Sequence, residues 1–250
     1  MIKSFSQYLN ENTHGVDLDS SKYCRDVINM IKKHRPSGES YEEIGKLEYT
    51  KPDVDIIIQL KKESNPDFNL DSHFKTLPWE EINFKQYGFA IDANVIMDRG
   101  DRILPEIIFT LIINPEMEPK LYRELEFRLT DILVHEINHT LQVGWNREPF
   151  HVRPSSPKDR KLAKKSYKYF LLPDEIESMV KGAYYRSKKQ GVKIDKVFDK
   201  YLYPFIMANR MTKSEYLQVL RAWVTHALEN YPDADFSIED QKISSIINKI

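Results

Sequence analysis

Cysteine is almost absent from this sequence, which contains a single one, Cys24, among 250 residues. A disulfide framework within the chain is therefore excluded, and a lone thiol suits a reducing compartment. No run approaches the roughly 18 consecutive apolar residues of a membrane span. The N-terminal residues MIKSFSQYLNE lack the continuous apolar segment of a secretory signal. We therefore expect a cytoplasmic protein that has no membrane partner.

An excess of one charge is also lacking, because 37 Lys and Arg residues face 38 Asp and Glu residues. Such a balance gives no overall field that would attract nucleic acid, so we expect no nucleic-acid partner. Glycine is scarce at 8 residues, whereas 41% of the chain is hydrophobic. This composition is typical of an ordinary globular protein that buries a real core.

The first half of the chain carries strand patterns after one helix. Asp19 or Ser20 could cap a helix that runs to about His34. Three β-rich segments follow, and the sequence DRGD at 98–101 predicts a turn between the last two. The segments are Asp53–Leu60, Phe84–Met97 and Ile103–Ile113. We interpret this half as a small antiparallel sheet lobe, about residues 19–117.

The second half, about residues 118–250, reads as mainly helical. A long helix is predicted over Pro119–Val143, and Thr212 with Glu215 predicts a capping box at the start of a later one. Further helices are predicted over 158–171, 174–189, 194–208, 213–230 and 237–249. Strands followed by helices indicate an α+β fold. We therefore predict a single domain over 19–250 with a cleft between a sheet lobe and a helical lobe.

The long predicted helix contains the run HEINH, His135 to His139. Residues four apart on a helix differ by about 40° in azimuth and one turn in height, so both imidazoles can reach one ion. Glu136 falls on the same side. Imidazole and carboxylate are zinc ligands in catalytic sites, and an adjacent carboxylate can take the proton of a metal-activated water.

The run also shares its side of the helix with apolar residues, which are Leu121, Leu125, Leu129 and Ile132. The motif is therefore expected on the buried face. Burying an unpaired carboxylate costs several kcal/mol, so Glu136 needs a partner there. A metal-bound water supplies one, whereas the alternative is an ordinary hydrogen-bonded core histidine pair.

The segment DILVHEINHTLQ resembles the active-site helix of the zincin metallopeptidases. The resemblance implies two histidine ligands, His135 and His139, a general base, Glu136, and a third protein ligand further along. The metzincin subclass, with the pattern HExxHxxGxxH, is excluded because Gln142 and Trp145 stand at its glycine and last histidine positions. In the gluzincin subclass the third ligand is a glutamate on a later helix.

The best segment for that third ligand is LLPDEIESMVKGAYYRSK, Leu171 to Lys188, which is similar to a phrase of minimal phage and bacterial gluzincins. It offers Glu175 and Glu177, and both flank its apolar stripe at about equal angles. Ser178 and Gly182 lie on the side of Glu175 and would allow a close helix approach. We therefore favour Glu175 as ligand, keep Glu177 as the alternative, and assign Asp174 to helix capping.

A peptidase also needs a group that steadies the oxyanion, and no spacing singles one out. The candidates are His151, Tyr184, Tyr185 and His226. In zincins the substrate pairs with an edge strand before the metal helix. The segment Ile103–Ile113 is in the right place for that role, although it could equally be a central core strand.

The N-terminal MIKSFSQYLNE resembles the short leader of T-even-type phage head proteins, in which a phage protease cuts after the Glu of [LI]-x-E. Leu9-Asn10-Glu11 fits that pattern. The resemblance implies a phage-encoded protein with a packaging leader over 1–11, association with a phage head, and packaging in the virion. The alternative is an amphipathic helix that docks on its own domain.

Two functions follow as hypotheses. The first is a zinc metallopeptidase that hydrolyses a peptide or protein substrate with a metal-activated water, using His135, His139 and Glu175 as ligands and Glu136 as base. The second is a structural or virion-packaged phage protein with a zincin fold and no turnover. An intact Glu136 favours the first hypothesis, and the leader-like N-terminus favours the second.

Overall fold

A computed structural model describes residues 20–34, 39–51, 54–65, 84–96, 105–143, 152–163 and 166–237. Three features predicted from the sequence lie outside these residues: the 1–11 leader, the 98–101 turn and the last predicted helix beyond 237. The described residues form an α+β structure, as predicted. The chain divides into two compact units, Met1–Thr140 and Leu141–Ile250.

The first unit is built on a four-stranded sheet that follows one helix, α1 (Ser20–Lys33). The strands occur in the spatial order β1-β2-β4-β3, and their bounds are β1 Tyr41–Thr50, β2 Asp55–Glu63, β3 Phe89–Ile96 and β4 Glu106–Ile113. The prediction of an antiparallel sheet is wrong at one pairing, because β2 and β4 run parallel. The chain places β3 at the far edge and then returns through β4, which fills the position beside β2.

The position of β4 also answers the question about an edge strand. It pairs with β2 on one side and with β3 on the other, so it is a central strand of the sheet. Of the two roles left open for Ile103–Ile113, residues 106–113 take that of a central core strand and not that of a substrate-pairing edge. Its near-continuous apolar sequence, EIIFTLII, agrees with a strand that is buried on one face and at least partly covered on the other.

Two local predictions in this unit are also wrong. Strand β1 was not predicted, because its charged sequence YEEIGKLEYT forms an edge strand in which no residue is buried. A bulge interrupts its pairing between Glu43 and Gly45, where Gly45 has φ of +153°, a region that favours glycine. In addition, residues 84–87 are helical, so β3 begins later than the apolar pattern predicts.

The main core of this unit lies between one face of the sheet and two helices, α1 and α2 (Tyr122–Val143). A short 3-10 turn, Pro119–Leu121, leads into α2, so the predicted long helix is confirmed. Residues of α2 at intervals of four enter this core, namely Leu125, Leu129, Leu133 and Ile137. The i, i+4 period thereby fixes which side of α2 faces the sheet.

The second unit is helical in its described part. Its α-helices are α3 (Pro157–Ala163), α4 (Pro173–Gln190), α5 (Ile194–Met207) and α6 (Lys213–Asn230), with a 3-10 segment at Tyr167–Leu171. The predicted helix over 158–171 is therefore two short pieces, whereas the predictions for α4, α5 and α6 are confirmed. The capping box of Thr212 and Glu215 is confirmed at the start of α6.

The aromatic residues of α5 and α6 meet around the fully buried Trp223. Its indole N–H donates to the backbone oxygen of Phe170 at 3.0 Å, and Phe170 and Phe198 pack edge-on against its ring. Helix α4 ends at Gly191 in the left-handed conformation, which lets two N–H groups beyond the helix reach its last carbonyls. Among the described residues, no helix has the length and apolarity that a membrane span requires.

Candidate metal centre

The two histidines of the HEINH run lie on the opposite side of α2 from Leu133 and Ile137, because residues two apart on a helix differ by about 200° in azimuth. Their Nε2 atoms lie 2.9 Å apart, and the rings meet edge to face with centroids 4.6 Å apart. This separation suits a hydrogen bond between complementary tautomers. Two nitrogens that share one tetrahedral zinc at about 2.0–2.1 Å each lie about 3.3 Å apart. A small rotation of either ring would therefore fit both nitrogens to one ion.

Glu136 is nearly buried, with 9% of its surface exposed. Its Oε1 lies 3.9 Å from Nε2 of His135, so the carboxylate is next to the imidazole pair and not bonded tightly to it. A general base must come within about 2.6–3.2 Å of the proton that it accepts, directly or through one water. The position of Glu136 allows such a water between the carboxylate and the imidazole nitrogens.

The third member of the group comes from the first turn of α4. His135, His139 and Glu175 each offer one ligand atom, and these atoms all lie within 4.8 Å of one another. Two imidazole nitrogens and one carboxylate oxygen form a donor set that zinc takes in catalytic sites. No other such group occurs among the described residues.

Glu175 itself is fully buried and accepts a hydrogen bond from the guanidinium of Arg160 on α3. The Nη1–Oε1 distance is 2.7 Å. Burial alone would lower the pKa of Arg160, but the neighbouring Glu175 and Asp174 carboxylates raise it above its ordinary value. Arg160 therefore stays positively charged beside the carboxylate.

Asp174 does not cap its helix, so the capping prediction for it is wrong. The N-cap position belongs to Leu172, with Pro173 as the first helical residue. Asp174 is fully buried and accepts hydrogen bonds from Arg160, from the Ser155 hydroxyl and, at 3.1 Å, from the Ser155 backbone N–H. Its carboxylate therefore joins α4 to Arg160 and Ser155. A helix-capping pattern in the sequence does not reveal such contacts.

Glu177 has different surroundings and does not belong to the group. Its Oε2 accepts from the Gln142 side chain at 2.6 Å and from the Val152 N–H at 3.3 Å. Gln142 also donates to the Asp174 carbonyl at 2.9 Å and to the Ser178 hydroxyl at 3.3 Å. Gln142, at the start of the second unit, is thereby held against the first turns of α4.

The four candidates for oxyanion stabilisation have different surroundings. The Tyr184 hydroxyl donates to Asp233 at 2.8 Å, and Tyr185 is buried beside it. Burial lowers the pKa of His226, and the nearby Glu177 opposes that shift. His151 lies outside the described residues.

Three contributors to this centre were missed by sequence reasoning: Arg160, Gln142 and the buried role of Asp174. Each acts across two elements that are separate in sequence, so no periodic pattern marks it. Arg160 and Gln142 are polar residues in helices, where they usually face water. The sequence offers a signal for only one of the three, Gln142, because it follows His139 by three residues on the same helix.

Comparisons with known proteins give no further identification. No family model matches the chain, and no curated protein or solved structure is significantly similar to it. Function must therefore be argued from the side chains of the centre.

Proposed function

We propose that this chain is a zinc-dependent peptidase in which His135, His139 and Glu175 hold the metal and Glu136 is the general base. The observation that carries the proposal is the convergence of three ligand atoms within 4.8 Å. The likeness of DILVHEINHTLQ to a zincin helix supports the roles of His135, His139 and Glu136.

Zinc, when bound by this donor set, supplies a Lewis acid that lowers the pKa of a coordinated water towards about 7. The chain's own contribution begins with Glu136, whose carboxylate accepts the proton of the attacking water. The same carboxylate then delivers that proton to the leaving amine of the cleaved peptide. Near-complete burial of Glu136 keeps bulk water from competing for its oxygens.

A second candidate function is a structural or virion-packaged phage protein that has a zincin fold and no turnover. One contact favours it: Glu175 has a cationic partner in Arg160, so its buried charge is compensated without any metal. This candidate gives no reason for two imidazole nitrogens to converge beside Glu136. We therefore keep it as the alternative that the following experiments separate.

The metal is tested first by zinc content. Purified protein should hold close to one zinc per chain, and His135→Ala with His139→Ala should abolish that binding. His34→Ala is the matched control, since it removes an imidazole that pairs with Glu42 and lies outside the group. Retention of zinc by the double variant would exclude this site.

Catalysis is tested separately with Glu136→Gln. The variant should bind zinc as the parent does, because Glu136 is not a ligand, and it should lose hydrolysis of a peptide library because an amide accepts no proton. Glu124→Gln on the same helix controls for a general effect on α2. A parent that binds zinc and cleaves nothing would favour the second candidate, and an active Glu136→Gln would remove the assigned base.

A further inference from the structure

Arg160 forms a fork across two adjacent carboxylates at the start of α4. Its Nη1 donates to Glu175 at 2.7 Å and its Nη2 donates to Asp174. Both acceptors are fully buried, while 35% of the Arg160 side chain is exposed. A planar guanidinium that bonds two fixed carboxylates restricts the rotation of each of them.

The arginine is itself held in place by short-range contacts. Ser155 bonds Asp174 through both its hydroxyl and its backbone N–H, which fixes the chain just before α3. The Ser156 hydroxyl accepts from the Asp159 N–H at 3.1 Å and so caps the first turn of α3. Asp174 therefore anchors the segment that carries Arg160 as well as the guanidinium itself.

The charges in this cluster do not cancel, so the cluster can still attract a cation. Asp174 and Glu175 contribute two negative charges and Arg160 one positive charge, so a single net negative charge remains. An arginine bonded to Glu175 alone would cancel the charge that a metal ligand needs. Asp174 offsets that effect, so Arg160 can hold Glu175 without neutralising the pair.

We propose that Arg160, balanced by Asp174, is a positioning residue that holds the Glu175 carboxylate in the orientation in which it completes the His135–His139 donor pair. This inference rests on the proposed function, because it requires Glu175 to be a metal ligand. Arg160 does not contact the reacting atoms. Its contribution is to fix the direction of a carboxylate whose side chain would otherwise lose several rotamers on binding a metal.

Arg160→Gln separates positioning from simple charge effects, because the two predict opposite signs. Removing a positive charge beside the ligand would by Coulomb attraction alone tighten the binding of a divalent cation. Loss of positioning should weaken it, by about 10–100-fold for a residue one contact removed from the metal. We would measure zinc affinity of the full chain by competition with a chromophoric chelator.

Two further variants sharpen the test. Arg160→Lys keeps the charge but cannot bond both carboxylates in a fork, so it should also weaken zinc binding. If Arg160→Gln does not fold, Arg160→Lys serves as the test variant. Lys161→Gln is the matched control, since Lys161 is exposed and adjacent on α3, and it should bind zinc as the parent does.

A spectroscopic measurement adds a readout that a merely structural role would not move. Cobalt should replace zinc in the parent, and its visible absorption reports the number and geometry of ligands. At saturating cobalt, Arg160→Gln should show an altered spectrum, whereas Lys161→Gln should match the parent. Unchanged or tighter zinc binding in Arg160→Gln, with a parent-like cobalt spectrum, would overturn the positioning role while the parent's zinc still supported the proposed function. A parent that binds no zinc would overturn both.

Discussion

Two glutamates at the start of α4 carry the same charge in different surroundings. Glu175 is fully buried, bonded to Arg160 and close to both imidazoles. Glu177 is only half-buried and bonded to Gln142 and the Val152 N–H. The sequence alone could not separate them by amphipathicity, because both flank the apolar stripe of their helix equally.

These surroundings predict different costs for removing each charge. Glu175→Gln should weaken zinc by more than about 100-fold, because it removes a ligand, whereas Glu177→Gln should cost at most the roughly 10–100-fold of a supporting residue. Both substitutions keep the side-chain shape, and Glu175→Gln in addition removes the buried charge that pairs with Arg160, so the stability of each variant is measured as well. Chelator competition on the two purified variants gives the ranking. The reverse ranking would move the third ligand to Glu177 and leave the histidine pair in place.

At the scale of single residues, the sequence predicted the side-chain directions that follow from the helical period. The i, i+4 spacing of His135 and His139 predicts their convergence, because the helix alone sets their relative direction. Ser178 lies beside Glu175 on α4, and its hydroxyl accepts a hydrogen bond from Gln142. Arg160 could not be predicted, because its fork depends on where α3 lies beside α4, and no local pattern encodes that.

At the scale of elements, helix α4 buries a lysine, a residue type that is usually exposed. Lys181 lies one turn after Glu177 with only 7% of its surface exposed. Burial lowers the pKa of its ammonium to about 8, and attraction to Glu177 opposes the shift. The buried face of α4 thus carries a cation that is more easily deprotonated than a solvated lysine.

The lowered pKa of Lys181 predicts that the free energy of unfolding changes with pH. The unfolded chain holds the Lys181 proton up to its ordinary pKa near 10.5, whereas the folded chain releases it near 8. Between these values the unfolded state binds more protons, so the free energy of unfolding rises as pH rises. A shift of this size corresponds to about 3 kcal/mol between pH 7 and 10.5.

The measurement compares the parent with Lys181→Met in urea at each pH, with chelator present to exclude metal effects. The parent should gain about 3 kcal/mol relative to the variant as pH rises from 7 to 10.5. Lys196→Met is the control, because Lys196 is exposed on α5, and its difference from the parent should stay constant. A constant difference for Lys181→Met would mean that its ammonium is well solvated.

Helices were predicted better than strands in this chain. Helices α2, α4, α5 and α6 follow from apolar periodicity together with Pro, Gly and Thr at their ends. Strand β1 was missed because an edge strand needs few apolar residues. The parallel pairing of β2 and β4 was missed because strand direction depends on the path of the chain between them, which local patterns do not encode.

At the scale of the whole molecule, the metal should act as a stabilising ligand. A ligand that binds only the folded chain adds free energy of unfolding as its concentration exceeds Kd, about 2.7 kcal/mol at a hundredfold excess. Glu175 lies 36 residues after His139 in the sequence, so an unfolded chain would not hold it beside the two histidines. Stabilisation by zinc therefore reports on the assembled group.

Removing zinc from the parent should lower its Tm by about 5–11 °C, since each kcal/mol corresponds to about 2–4 °C for a chain of this size. Scanning calorimetry with excess zinc and then with chelator measures the shift. Magnesium should not restore it, because two imidazoles and one carboxylate suit zinc and not a hard cation that prefers oxygen ligands. The His135→Ala, His139→Ala double variant should melt at the same temperature with zinc or chelator. If zinc raises the Tm of that variant as much as it raises that of the parent, the stabilising ion binds elsewhere on the chain, and His135, His139 and Glu175 do not form the metal site.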